Sequence, residues 1–321
     1  MIPEEQIGEV NGLSITTVID NYVDVFLPST ETVARWGPPD MTPGRTASHG
    51  RPAPLNAEHG LALLFEIDHG DRTQKILFDT GFTDEGVPRN LDSLGVNVND
   101  IDCIVISHGH PDHTAALPQI LRSAQKRIPV YTHMDAFLAR YLLFPDGTRV
   151  LSNTLDQAAI REAGGDVVLT HEKVKLGPGV MLSGEIDMLN DFEQHFPLAY
   201  YEKDGEMIKD LFRDEKSLIV NLKNRGLVVV SGCGHRGIIN TVEYAKRITG
   251  VDEVYAVMGG FHLTGATPLD RITRSVAEMK KIAPRIMIPT HCTGWKAINL
   301  FQESMPDSFV LNAVGTKYSL F

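Results

Sequence analysis

A chain of 321 residues with 42% hydrophobic content can bury a large core, and its length suits one big α/β domain. The formal net charge of -11, with no run of Lys and Arg, repels phosphodiester backbones and argues against nucleic acid as a partner. The opening stretch MIPEEQIGEV lacks the basic start and apolar core of a secretory leader, and no apolar run reaches membrane-spanning length, so the expectation is a cytoplasmic protein without a membrane partner.

Taken in chain order, strand-like runs alternate with helical patterns. LSITTVI from Leu13, LALLFEI from Leu61, KILFD from Lys75, DCIVIS from Asp102 and IPVYT from Ile128 read as strands. Helices are predicted over QILRSAQK, over DAFLARYLL and over LDQAAIREA, the last closed by Gly164 and Gly165. Further on, SLIVNL and GLVVVS predict a hairpin across Lys223 to Gly226. Helix INTVEYAKRI, strand EVYAVM, helix LDRITRSVAEMKKI, strand RIMIP and a helix at WKAINLFQESM follow. This alternation predicts a layered α/β fold.

Two stretches interrupt the rhythm. Leu27 to Pro54, with WGPPDMTPGR, is rich in Pro and Gly and reads as a loop, either a connector or a flap beside the active site. An insertion at about 196–216, PLAYYEKDGEMIKDLFRDE with its aromatics among charges, either borders a pocket or decorates the surface.

Five apolar strands run directly into short polar motifs: Asp79-Thr80-Gly81, the turn SHGHPDH from Ser107, Cys233 with His235, Gly259 to His262, and His291 with Cys292. Loops at the carboxyl ends of strands are where layered α/β proteins bind ligands, so six of the twelve histidines are predicted to serve one cleft. In the crowded turn, His108 and His110 lie two apart in extended chain and share a side, while Asp112 and His113 turn away to address a second metal. Pro111 stiffens the turn. Cys103, Cys233 and Cys292 form neither an even set nor a zinc-ribbon pair, which argues against a disulfide framework.

SHGHPDH is similar to the His-x-His-x-Asp-His motif of the metallo-β-lactamase superfamily, and LFDTG resembles that superfamily's first motif. Together with GCGHRGIIN, GGFHL and PTHCTG, the pattern resembles one subgroup, named for 7,8-dihydropterin-6-methyl-4-(β-D-ribofuranosyl)aminobenzene-5'-phosphate synthase activity. The resemblance covers most of the chain, from about Leu13 to Leu320. It implies a single four-layer αβ/βα sandwich over 1–321 and a metal-dependent hydrolase using two divalent ions. Zinc is the first expectation, with manganese and iron compatible.

The same resemblance implies ligand roles. His108 and His110 match the first-metal pair, Asp112 and His113 the second-site pair or a catalytic acid, and His291 the ligand that completes the second site. The superfamily's HTPGHT segment and its bridging aspartate after Gly-Asp have no clear counterpart here. Glu185 in GPGVMLSGEID stands closest to the former and Cys233 to the latter. His235 is accordingly expected to replace the missing ligand, with Cys233 as a bridging candidate. Asp112 either holds or shuttles a proton or purely ligates the metal, and His262 is a ligand, a general acid or a substrate contact. Asp79 is expected to fix an imidazole tautomer from behind. Trp295 and Lys296, at the start of a helix, are candidate substrate contacts.

The partner expected is a small molecule, phosphorylated or heterocyclic, with homo-oligomerisation compatible. Two other functions fit the same residues: a mononuclear iron oxygenase on this fold, and a noncatalytic metal or ligand sensor.

Overall fold

The computed structural model of the protein describes residues 7–37, 54–153, 155–194 and 196–321. Its internal contacts group the chain into two units: Gly12–Thr132 with Leu155–Leu169 and Asn312–Phe321, and Met1–Asn11 with His133–Thr154 and Thr170–Leu311. Among the described residues no helix is long and apolar enough to cross a membrane.

The unit that begins at Gly12 is built on an eight-stranded sheet. Its strands are β1 (Gly12–Ile19), β2 (Val33–Ala34), β3 (Ala62–Asp68), β4 (Thr73–Phe78), β5 (Cys103–Val105), β6 (Ile128–Thr132), β9 (Gly165–Leu169) and β18 (Lys317–Leu320). The order is β2-β18-β1-β3-β4-β5-β6-β9, and β4, β5, β6 and β9 run parallel. Ile76, Leu77, Phe78, Ile104 and Val105 are fully buried. Such unbroken apolar runs are what a parallel strand covered on both faces requires. Helices α1 (Gly86–Ser93), α2 (Pro111–Thr114), α3 (Leu117–Ser123) and α4 (Gln157–Glu162) belong to this unit.

The loop expected over Leu27 to Pro54 is corrected at one point: Val33 and Ala34 pair with Tyr318 and Lys317 as an edge strand. Arg35 follows at once, and its Nη1 donates to Thr316 Oγ1 at 2.9 Å, which holds the edge in place. Residues 38–53 of that loop lie outside the described residues.

The other unit holds two sheets. One orders β10 (Val174–Gly177), β11 (Val180–Leu182), β14 (Ser217–Leu222), β15 (Gly226–Ser231), β16 (Val254–Gly260) and β17 (Ile286–Thr290) in sequence. The expected hairpin β14–β15 is present in full register. It turns at Asn224 (φ 58°) and Gly226 (φ 96°), the residue types that accept a left-handed backbone. Helices α5 (Ile238–Thr249), α6 (Leu269–Ile282) and α7 (Trp295–Ser304) complete it. Val229, Val257, Phe261, Ile272, Met279 and Phe301 are part of its core.

The second sheet, β13 (Glu206–Lys209), β12 (Ala199–Lys203), β7 (Arg140–Leu143) and β8 (Arg149–Asn153), corrects one expectation. DAFLARYLL is not one helix. A 3-10 turn, Met134–Phe137, gives way to β7, because Tyr141 pairs with Tyr200 and the guanidinium of fully buried Arg140 meets Asp210 at 2.5 Å and Asp214 at 2.7 Å. A buried cation needs those partners, and an isolated helix would not supply them. Within the insertion at 196–216, β12 and β13 form a hairpin, and β12 pairs with β7.

Candidate metal centre

Strand β4 ends just before Asp79, and its parallel neighbour β5 ends two residues before Ser107. Asp79 is fully buried, and its carboxylate accepts three hydrogen bonds. Ser107 N donates to Oδ1 at 2.7 Å, Ser107 Oγ donates to Oδ2 at 2.7 Å, and His113 Nδ1 lies 2.7 Å from Oδ2. The protons of this network can be followed in sequence. A carboxylate only accepts, so His113 carries a proton on Nδ1, and in the neutral imidazole Nε2 is then the accepting atom. Ser107 spends its single proton on Asp79, so at 2.9 Å from His108 Nδ1 its oxygen accepts, and in a neutral His108 Nε2 is again the accepting atom. Two buried imidazoles are thus fixed in the tautomer that ligates a cation.

The rest of the turn adds donors. His108 Nε2 lies 3.1 Å from His110 Nδ1, and the ring of His108 is 4.3 Å from that of His113. Asp112 Oδ2 sits 3.7 Å from His113 Nε2 and 3.8 Å from His59 Nε2, with its side chain 16% exposed. The turn is helical because Pro111 starts α2 with its missing N–H where none is needed. Thr80 N and Leu61 N then bond to the carbonyls of His113 and Asp112. Nitrogen and oxygen donors of this kind suit a divalent ion of the zinc, manganese or iron class.

In the other unit, the loop after β15 carries Cys233, His235 and Arg236. Glu215, fully buried, clamps it: Oε1 accepts from His235 N at 2.7 Å and Oε2 from Arg236 N at 2.5 Å. Burial pushes the Glu215 carboxyl up to about 7, against the pull of those backbone N–H groups. Phe212 stacks flat on the His235 ring at 4.0 Å, and His262 tilts toward it at 4.2 Å. Donor atoms of Cys233, His235 and His262 lie within 4.8 Å of one another, as do those of Cys233, His291 and Cys292.

Three of these polar residues hold a left-handed backbone: Asp79 at φ 61°, His262 at 43° and His291 at 47°. Residues with a Cβ seldom adopt it, and such strain gathers at functional sites. Asp79 and His291 stand immediately beyond β4 and β17, and His262 two residues beyond β16.

Of the residues singled out in the sequence, His108, His110, Asp112 and His113 gather around Asp79 in one unit. Cys233, His235, His262, His291 and Cys292 gather in the other. Glu185 stands apart from that second group: its Oε1 lies 3.5 Å from His133 Nε2. Trp295 is 66% exposed at the start of α7. Sequence reasoning missed Ser107, Phe212 and Glu215. Ser107 was legible as the hydroxyl between a strand and the motif. Glu215 is a single acid twenty residues from the loop it clamps, and nothing local marks it.

A family model of the metallo-β-lactamase superfamily matches residues 56–184. The 7,8-dihydropterin-6-methyl-4-(β-D-ribofuranosyl)-aminobenzene-5'-phosphate synthase of Methanocaldococcus jannaschii is 34% identical over 266 residues, covering 81% of this chain and 89% of the relative. An uncharacterized protein of the same organism is 31% identical, covering 81% and 92%. In structure the chain is similar to Tm1679, a metal-dependent hydrolase of the β-lactamase superfamily, with a TM-score of 0.73 at 23% identity over 95% of this chain and 98% of that one. That fold implies divalent metal binding. The donors gathered at these strand ends and the relatives therefore agree, and the chain belongs to the metallo-β-lactamase superfamily, in the group related to the dihydropterin-methyl-ribofuranosyl-aminobenzene-phosphate synthase.

Proposed function

We propose that this chain is a metal-dependent hydrolase acting on a small phosphorylated or heterocyclic substrate. The observation that carries the reading is the buried network in which Asp79 and Ser107 engage the Nδ1 atoms of His113 and His108. A neutral imidazole that carries its proton on Nδ1 has Nε2 as its ligating atom, and a carboxylate or hydroxyl behind Nδ1 is the arrangement that fixes this tautomer in metal sites. The name of the relative, a synthase of a dihydropterin-methyl-ribofuranosyl-aminobenzene phosphate, supports a phosphorylated heterocycle as the substrate class.

The ligand set proposed is His108, His110, Asp112, His113, His235 and His291, with Cys233 as a bridging candidate, for two divalent ions, zinc first. When bound, such ions supply Lewis acidity and lower the pKa of water from about 15.7 to about 7. The remaining work falls to the chain. Asp112, partly open to solvent and flanked by the Nε2 atoms of His113 and His59, holds the proton released from the attacking water at Oδ2. His262, half-buried and braced between His235 and Phe196, hands a proton to the leaving group. The Glu215 clamp and the Phe212 stack keep the His235 ring from turning, so that orientation is settled before substrate arrives.

Metal content per chain tests this, measured by inductively coupled plasma mass spectrometry on untagged protein purified without chelator, beside His110→Ala. Two zinc or manganese ions, lost in the variant, support the dinuclear hydrolase and justify a screen of phosphoesters and lactones. A single iron would favour an oxygenase. No metal above the level of the variant would leave a sensor.

A further inference from the structure

Cys233 and Cys292 are 59 residues apart in sequence, yet their Sγ atoms lie 3.0 Å apart, and Cys292 Sγ donates to Cys233 O at 2.8 Å. Both are buried. His291 joins them, the three donor atoms lying within 4.8 Å of one another. We propose that Cys233, Cys292 and His291 form a sulfur-rich ligand set, with Cys233 also facing His235 and His262, so that the site takes a thiophilic ion of the zinc class rather than manganese or magnesium. This deepens the metal-dependent reading above and rests on it.

The fold reserves the space for the sulfurs. A Cβ on Gly260 would stand 2.7 Å from Cys292 Sγ and 3.0 Å from Cys233 Cα, and one on Gly234 would stand 2.6 Å from Gly260 O. A side chain at Gly260 would therefore press on the Cys292 thiol, and one at Gly234 on the backbone of Gly260 and Phe261. His291 keeps its left-handed φ of 47° at the start of the 3-10 turn His291–Thr293, and this turn offers its imidazole and the next residue's thiol to one point. Ordinary packing explains a buried cysteine as a small apolar group, and Cys103 shows that case. It lies inside β5, it belongs to none of the donor groups among the described residues, and burial pushes its thiol up to about 12. Packing alone does not call for a second thiol, an imidazole and a strained backbone at one place.

Ligation balances simply. Each Sγ–H bond breaks as the Sγ–metal bond forms, and its proton goes to solvent, with no change of oxidation state. Soft thiolates favour zinc and cobalt over manganese and magnesium, which prefer oxygen.

The test uses the full chain loaded with Co(II), read by the thiolate-to-cobalt charge-transfer absorption and by cobalt content. The wild type and Cys103→Ser are expected to show the band at equal strength. Cys233→Ser and Cys292→Ser should each lose about half of it, and the double variant all of it. An unchanged band in the double variant overturns the proposal, and so does a wild type that binds cobalt without the band. In that last case, loss of cobalt in His110→Ala would leave the metal-dependent reading standing by itself. A wild type that binds no cobalt overturns both. Should the serine variants misfold, X-ray absorption at the zinc edge of the wild type decides, because Zn–S scattering at about 2.3 Å separates from Zn–N at about 2.0 Å; nitrogen and oxygen scattering alone would reject the sulfur ligands.

Discussion

Asp79 Oδ2 lies 2.7 Å from His113 Nδ1, with both side chains fully shielded from solvent. The same carboxylate takes both donors of Ser107, so one residue orients two imidazoles. Asp79→Asn puts an N–H₂ where one of those oxygens accepts, and the tautomers are no longer fixed. Metal affinity is expected to fall about 10- to 100-fold, measured by competition with a chromophoric chelator. An affinity within twofold of wild type would show that the carboxylate does not orient the ligands.

Glu215 gives a prediction about the loop of the second unit. Glu215→Ala leaves the N–H groups of His235 and Arg236 without their buried acceptor, at a cost of about 1–3 kcal/mol for each orphaned group. Thermal unfolding should begin several degrees lower, and His235 should exchange its amide hydrogen faster than in wild type. Unaltered exchange at His235 would mean that the loop is held by other contacts.

Lys216 sets a pH dependence. It is fully buried with Nζ donating to Ser183 O at 3.1 Å, and burial pushes its ammonium down to about 8 from 10.5, against the pull of Glu185 and Asp214. Between those two values the unfolded chain keeps a proton that the folded chain has released, so unfolding free energy rises with pH across the window. Below pH 8 both states are charged, and the full penalty stands. Lys216→Met abolishes the effect. Its stability relative to wild type should therefore fall by a few kcal/mol between pH 8 and pH 10.5, as read by urea unfolding, and a difference independent of pH would refute the burial argument.

Glycine at the end of β16 is a fourth test. A Cβ on Gly259, where φ is 119°, would stand 1.9 Å from Ser231 O, whereas one on Gly95, φ 72°, meets nothing within 4 Å. Gly95→Ala should cost about 1 kcal/mol, the price of a left-handed residue in open space. Gly259→Ala must move the neighbouring strand β15 and should lose several times as much, or fail to accumulate as folded protein. Equal melting temperatures would contradict the packing at Ser231.

Much of this protein could be read along the chain because its signals are local. Strands β1, β3, β4, β6, β14 and β15 follow apolar runs, and the strand-to-motif junctions at Asp79, His108, His235, His262 and His291 are visible as residue types at element ends. Period and turn chemistry operate over a few residues, so one sequence suffices to show them. The helix expected over DAFLARYLL failed where a distant partner prevailed: β12 pairs with Tyr141, and Asp210 and Asp214 neutralise Arg140. The same reason hides Glu215 from His235 and Cys292 from Cys233. Sequence by itself determined which groups carry the chemistry and at which strand ends they stand. The tertiary structure decided which proton each imidazole bears, which acid clamps which loop and which thiols meet, since hydrogen bonding and burial depend on atoms brought together across tens of residues.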